Sequence, residues 1–376
     1  MTMGLKRTQL QRGKVLVDFY PALNLGDDLF LYTLLDRYRD EHFYIVLQDT
    51  SLLPRIGADN YSVIKMQSKK SRREWTDSLG AKCLCQIGGS IFIEPVDRGC
   101  VGIARSMKYI LRRYQLYSST PHTYVLGANW GPAKHAFFQH AFKSVYKRTV
   151  DDICFRDQAS FQLFRELKNV RVAPDILFST QMPKVEKQHS VLFSVVDLSN
   201  KQKFGFLSEK ADKYYAWLEH AAQWYFKRGY KVILSSFCEI EGDERAVDVL
   251  GKRLSAKGVP YQNHRYKGDI NEALEVIASC DVVVATRFHA MVLGIVAGAR
   301  VLPLSYSMKT INVLNDIGFD MNLVIDISSI EPDDLSICEA LQATHPFYLG
   351  DLPERAEAHF QALDSYLLRN STNGEI

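Results

Sequence analysis

In the segment Val282-Val283-Val284-Ala285-Thr286-Arg287-Phe288-His289-Ala290, a guanidinium and an imidazole stand two positions apart, directly after an apolar, β-branched run. The run predicts a buried strand ending at Thr286, whose hydroxyl suits a helix N-cap, so Arg287 and His289 are expected in the first turn of the following helix. That turn offers unbonded backbone N–H groups and the positive end of the helix dipole, and an anion placed there gains both along with the guanidinium. Without an anion, two basic side chains would oppose the dipole. A phosphate or carboxylate site is therefore expected, against the plainer reading in which Arg287 pairs with a surface carboxylate and His289 satisfies a neighbour in the core.

A matching junction stands in the other half of the chain: Asp152-Ile153-Cys154-Phe155 is followed by Arg156, with Asp157 placed to cap a helix. Facing each other across a cleft, Arg156 and Arg287 would hold one small dianion or trianion from opposite sides, with a bidentate geometry that Lys lacks. Taken alone, Arg156 reads as an ordinary Arg–Asp surface pair. Tyr306-Ser307-Met308-Lys309 adds a cation at the same rim, with a solvated lysine as the alternative. Three glycine-bearing junctions, Asn24-Leu25-Gly26-Asp27-Asp28, Gly88-Gly89-Ser90 and Gly127-Ala128-Asn129-Trp130-Gly131-Pro132, each follow an expected strand. Glycine lets the backbone approach a ligand, while Asn, Asp and Ser supply what sugar hydroxyls bond to. Asn24, Gly26, Asp27, Gly88, Gly89, Ser90 and Asn129 are thus expected to line a cleft.

Positioning these residues requires strands that end together. Apolar runs at 14–20, 43–47, 62–65, 83–87, 122–127 and 152–155 predict strands, alternating with helical patterns at 27–39, 100–117, 134–148 and 157–168. The pattern stops at 180–188, which contains Met182-Pro183 and reads as a linker. Strands are then expected at 190–196, 230–235, 281–286, 300–304 and 323–326, with helices at 211–228, 241–257, 270–279, 288–298, 309–317 and 331–342. The expected organisation is an N-terminal Rossmann-like α/β domain over 1–180, a second over 181–350, and a helix within 351–376 placed to fold back on the first. Parallel sheets of this kind bind ligands beyond the carboxyl ends of their strands, here in a central cleft.

Composition narrows the function. Of 376 residues, 47% are apolar and 24% charged, which excludes disordered and low-complexity classes. Forty-six Lys and Arg against 43 Asp and Glu leave a charge of only +3, which argues against a nucleic-acid partner. Seven dispersed cysteines without a C-x-x-C pair suit reduced thiols rather than a disulfide framework or a zinc site. Lys6, Arg7 and Arg12 precede no apolar signal-peptide core, so a cytoplasmic protein is expected, with peripheral contact at the inner face of a membrane left open. Lys65, Lys69, Lys70, Arg72 and Arg73 are expected in a loop, read as solvated in preference to a contact with anionic lipid or polymer. No G-x-G-x-x-G, P-loop, H-E-x-x-H or G-x-S-x-G is present, which sets aside nicotinamide, nucleoside-triphosphate, zinc-protease and serine-hydrolase chemistry.

Taken together and in order, Asn24 to Asp27, Gly88 to Ser90, Gly127 to Pro132, Arg156-Asp157 with Ser160, Pro174-Asp175, Arg287-Phe288-His289-Ala290 and Tyr306 to Lys309 make the chain resemble the polysaccharide pyruvyl transferase family. The resemblance implies a fold similar to GT-B glycosyltransferases and transfer of the enolpyruvyl unit of phosphoenolpyruvate onto two hydroxyls of one sugar, forming a cyclic ketal and releasing phosphate. It implies no cofactor beyond that donor, and an acceptor saccharide that is free or lipid-linked. It gives Arg156, Arg287 and Lys309 to the donor and the catalytic position to His289, whose imidazolium, kept charged by the bound anion, would protonate C3. Asp27, Asp28 and Asp175 are candidate bases by junction position. A nucleotide-sugar glycosyltransferase of the same architecture and a non-enzymatic saccharide- or anion-binding module are the competing readings.

Overall fold

Runs such as Val15-Leu16-Val17 and Val282-Val283-Val284 lack polar alternation because they are covered on both faces, and in the computed structural model they form parallel strands. The structure describes residues 14–65, 72–95, 99–199 and 204–372. Lys69, Lys70 and the segment Met1 to Gly13 lie outside them.

Among the described residues the strands form two α/β sheets. The first comprises β1 (Lys14–Asp18), β2 (Phe43–Leu47), β3 (Tyr61–Lys65), β4 (Ala81–Ile87), β5 (His122–Ala128), β6 (Asp152–Phe155) and β7 (Val170–Val172), in the order β3-β2-β1-β4-β5-β6-β7. The second comprises β8 (Gln188–Ser194), β9 (Lys231–Ser236), β10 (Tyr261–Arg265), β11 (Cys280–Ala285), β12 (Arg300–Ser305) and β13 (Ile325–Asp326), in the order β10-β9-β8-β11-β12-β13. The direction of winding reverses between β1 and β4 and again between β8 and β11, and such switch points leave a crevice at the strands' carboxyl ends. Helices α1 (Leu25–Arg37), α2 (Arg72–Leu79), α3 (Gly99–Tyr117), α4 (Ala136–Thr149) and α5 (Gln158–Gln162) accompany the first sheet. With the second run α6 (Ala211–Phe226), α7 (Asp243–Ala256), α8 (Ile270–Ser279), α9 (Phe288–Val296), α10 (Met308–Asp316) and α11 (Ser336–Gln342), followed by α12 (Leu352–Ala356) and α13 (Gln361–Thr372).

Differences from the expected elements have local causes. β10, with the sequence Tyr-Gln-Asn-His-Arg, is an edge strand paired only with β9 and needs no apolar run, and β7 is a three-residue edge. Arg72 and Arg73 begin a helix where a loop was expected. The helix expected at 157–168 stops at Gln162, and the one at 331–342 starts at Ser336.

The two halves share one hydrophobic core. Leu25, Leu29 and Phe30 of α1 and Ile176 to Phe178 pack in the same cluster as Met291 and Val292 of α9. The Leu25 N–H donates to the Phe237 carbonyl at 3.0 Å, and the Tyr266 hydroxyl donates to Asp28 Oδ2 at 2.7 Å. A second cluster, rich in aromatic rings such as Phe92, Phe142 and Tyr146, fills the other face of the first sheet. The segment after Asp351 lies against the first sheet, where Arg37 pairs with Asp364 at 2.8 Å and Arg171 donates to the Ala358 carbonyl at 2.7 Å.

Within that segment, His359 is fully buried and bonded at both nitrogens. It accepts from the Gly127 N–H at Nδ1 (3.3 Å) and donates from Nε2 to the Pro174 carbonyl (2.9 Å). Burial pushes its pKa down to about 3. A histidine depressed in the fold costs stability as pH falls below its unfolded value of about 6.5. Asp27 and Asp28, raised to about 7 and about 8 by burial, act with the opposite sign, costing stability as pH rises. In thermal melts of wild type and His359→Gln across this range, the wild type is expected to lose Tm more steeply on acidification. The carboxyl contributions are common to both proteins, so the difference in slope isolates the histidine.

Candidate active site

The carboxyl ends of β1, β4, β5, β6, β11 and β12 converge on one cavity of about 940 Å³, lined among others by Asn24, Asp27, Ser90, Asn129, Arg156, Arg287, His289 and Lys309. Its centre is the Arg156 guanidinium. β6 ends at Phe155, the Arg156 N–H donates to the Ala128 carbonyl at 2.9 Å, and the side chain is left only 1% exposed. Nη1 donates to Asp175 Oδ2 at 2.9 Å, Nη2 donates to Asn129 Oδ1 at 2.7 Å, and the cation lies 4.3 Å from the centre of the Phe288 ring.

Arg156 Nη1 also stands 3.3 Å from His289 Nε2. A guanidinium can only donate, so Nε2 accepts and the imidazole proton belongs on Nδ1. Burial first, then the charges of Arg156, Lys309 and Arg287, push the His289 pKa well below its ordinary range. Burial and these three cations favour a neutral imidazole in the free protein; the imidazolium expected from the sequence is one kept charged by a bound anion.

Arg287 occupies the N-cap of α9 rather than its first turn, since the Thr286 hydroxyl is taken up by the buried Tyr214 hydroxyl at 2.9 Å. Its guanidinium is held by Asp243, with Nε donating at 2.9 Å, and by Glu241 Oε2, which accepts from Nη1 at 2.6 Å. Asp243 in turn accepts from the Phe237 and Cys238 N–H groups, both at 3.0 Å. Arg156 and Arg287, expected to face each other across a cleft, both line this cavity, and each is paired there, Arg156 with Asp175 and Arg287 with Asp243 and Glu241. Lys309, which also lines the cavity, has no carboxylate within ion-pair distance among the described residues; its Nζ stands 3.5 Å from Ser90 Oγ and 5.7 Å from the centre of the same Phe288 ring. Burial and the charges of Arg156 and Arg287 lower its pKa to about 8.

The family model described as polysaccharide pyruvyl transferase matches residues 24–308, from the Asn24 cap to the first turn of α10. The chain belongs to the polysaccharide pyruvyl transferase family. Sequence comparison with curated proteins finds no match. In fold, this family member is similar to the UDP-GlcNAc 2-epimerase of Methanocaldococcus jannaschii, at a TM-score of 0.55 and 8% identity over 94% of this chain and 99% of that one. The same enzyme in complex with UDP-GlcNAc and UDP gives a TM-score of 0.56 at the same identity and coverage. Alr3699/HepE of Anabaena in complex with UDP gives 0.49 at 13% identity, over 96% of this chain and 98% of that one. The two parallel sheets and the likeness to the epimerase make the architecture GT-B-like.

In this pyruvyl transferase family member the glycine junctions make room for the polar groups. A Cβ on Gly26 would stand 1.6 Å from His289 Nδ1, and one on Gly89 would stand 2.6 Å from Arg156 Nη1. Gly88 lies beneath Ile91 and Asp27. Asn24 caps α1, its Oδ1 accepting from the Gly26 N–H at 3.1 Å, and leaves Asp27 on the cavity wall. Burial outweighs the helix dipole and the nearby cations there, raising Asp27 to about 7. Of the other candidate bases, Asp175 is locked to Arg156 and to the Leu177 N–H, and Asp28 bonds Tyr266 away from the cavity.

Sequence reasoning passed over Glu241, Asp243, Phe288 and His359. His359 braces Gly127 and Pro174, the backbone just before the two residues that hold Arg156, Asn129 and Asp175. Its one signal is a histidine at a buried register between Ala356, Phe360 and Leu363. Two outcomes check the site. In NMR titrations of the free protein, the His289 ring should show no protonation step near its ordinary midpoint of about 6.5. Gly26→Ala should displace the imidazole, visible as a changed His289 resonance with an unchanged far-UV spectrum.

Proposed function

We propose that the protein forms a cyclic pyruvate ketal on a sugar, using phosphoenolpyruvate as donor and releasing phosphate. What supports this reading is the meeting of Arg156, His289 and Lys309 in one cavity, in a chain of the pyruvyl transferase family. Lys309, with no carboxylate of its own, and the N-terminus of α9 receive the donor's negative charge, while the paired Arg156 and Arg287 hold the cavity positive around it.

Binding a multiply charged anion reverses the electrostatics at His289. The cations that depress the imidazole become neutralised, so the ring takes up a proton as the donor enters. That proton passes to C3, C2 becomes oxocarbenium-like, and one sugar hydroxyl adds to it. The C–O bond to phosphate breaks, the second hydroxyl closes the ring, and of the two hydroxyl protons released one replaces the proton spent and one leaves with phosphate. Asp27, poised near neutrality and facing the cavity, accepts a hydroxyl proton.

His289→Ala is expected to abolish phosphate release from phosphoenolpyruvate plus acceptor, while the protein still melts cooperatively; near-normal release would remove the acid from His289. With Asp27 as base, kcat/KM rises as pH passes through about 7. Asp27→Asn lowers it by about 100-fold or more and flattens that limb. Likeness of fold does not fix the donor. Thermal stabilisation by phosphoenolpyruvate and not by uridine diphosphate separates this reading from nucleotide-sugar transfer. Incubation with galactosides, glucosides and mannosides, followed by mass spectrometry for a gained pyruvate minus water, identifies the acceptor sugar.

A further inference from the structure

Helix α3 turns two different faces to its surroundings. Inward, Tyr109 donates to the Ile91 carbonyl, Arg113 Nη2 donates to the same carbonyl at 3.3 Å, and Ser106 donates to Glu94 at 3.2 Å, so this face holds the loop that forms one wall of the active-site cavity. Outward, Ile103, Met107, Leu111 and Tyr114 follow the i, i+4, i+8, i+11 spacing of a single stripe and are 44%, 61%, 54% and 41% exposed. Single exposed apolar residues are ordinary, but four in a row along one helix are not. Farther round the exposed side of the helix stand Lys108, three residues before Leu111, then Arg112 and Arg105. Neither α3 nor its neighbour α4, which adds Lys147 and Arg148 besides a Lys143 that pairs with Glu166, contains an Asp or Glu.

An apolar stripe with cations along one side and no carboxylate on its own helix matches the boundary between acyl chains and anionic headgroups. A protein partner would not require every flanking charge to be positive. No helix among the described residues is long and apolar enough to cross a membrane, so the contact is one of lying on the surface.

We propose that α3 seats the protein on an anionic bilayer, with Met107 and Leu111 entering the acyl boundary and Lys108 and Arg112 on the headgroups. The seat goes beyond the pyruvyl-transfer reading and does not rest on its donor. It bears on the acceptor, because the opposite face of the same helix borders the cavity and brings a lipid-carried saccharide within reach.

The test is co-sedimentation of the full chain with vesicles of phosphatidylglycerol and phosphatidylcholine, against vesicles of phosphatidylcholine alone, at low and high salt. Binding is expected to the anionic vesicles, several-fold weaker to the neutral ones, and weakened by salt. Lys108→Gln with Arg112→Gln should lower partitioning about thirtyfold, at about 1 kcal/mol per cation. Met107→Glu with Leu111→Glu should abolish it. Both double variants should keep the wild-type Tm, since all four side chains are exposed. Absence of binding to anionic vesicles, or equal binding to neutral ones, overturns the proposal. So does a lipid-free dimer that the Glu variants dissociate, which would give the stripe to a second copy of the chain.

Discussion

Burying the Arg156 guanidinium where the two sheets meet sets conditions that the rest of the site has to satisfy. A charge removed from water needs partners on its donors, and removing one partner of a buried pair costs about 3–5 kcal/mol. Asp175, Asn129 and His289 fill that role, and they come from three separate strand ends and from both halves of the chain. Gly89 is small because the guanidinium lies against it. The shared core of α1 and α9 keeps the two halves in register, so a ligand group from one sheet can face a ligand group from the other.

Three of the cations lining the cavity are handled in three ways. Arg287 is neutralised by Asp243 and Glu241, Arg156 by Asp175, and Lys309 is left with a hydroxyl and an aromatic face. The Phe288 ring lies within cation–π distance of both Arg156, at 4.3 Å, and Lys309, at 5.7 Å. Burial and the neighbouring cations lower Lys309 and His289, while burial outweighs those cations at Asp27 and raises it to about 7. Asp27 and Lys309 are thus held close to a change of charge near neutrality.

The architecture was legible because buried parallel strands are continuous apolar runs, and Val282 to Ala285 can hardly be anything else. Junction positions followed, so Arg156, His289 and Lys309 were findable as the residues just beyond strand ends. The α6 spacing of Tyr214, Trp217, Leu218, Ala221 and Tyr225 likewise gave a helix whose inward face is buried in the structure. The partners of Arg287 were not legible, since Glu241 and Asp243 stand at the β9–α7 junction and only the β8-β11 switch in strand order brings that junction beside α9. Edge strands β7 and β10 carry no apolar signature, and the dense charge of Arg72 and Arg73 concealed a helix. His359 is invisible for a different reason: its role lies in two carbonyl- and amide-level bonds to segments about two hundred residues away.

The fit of Gly26 against His289 has a consequence for how such a chain can diverge. Two residues in opposite halves occupy what is nearly a single volume, so neither position drifts independently of the other. Recombination at the 180–188 connector would yield a working hybrid only when the parents agree at both positions. The contact is thus a two-part lock, with one part carried by each half of the chain.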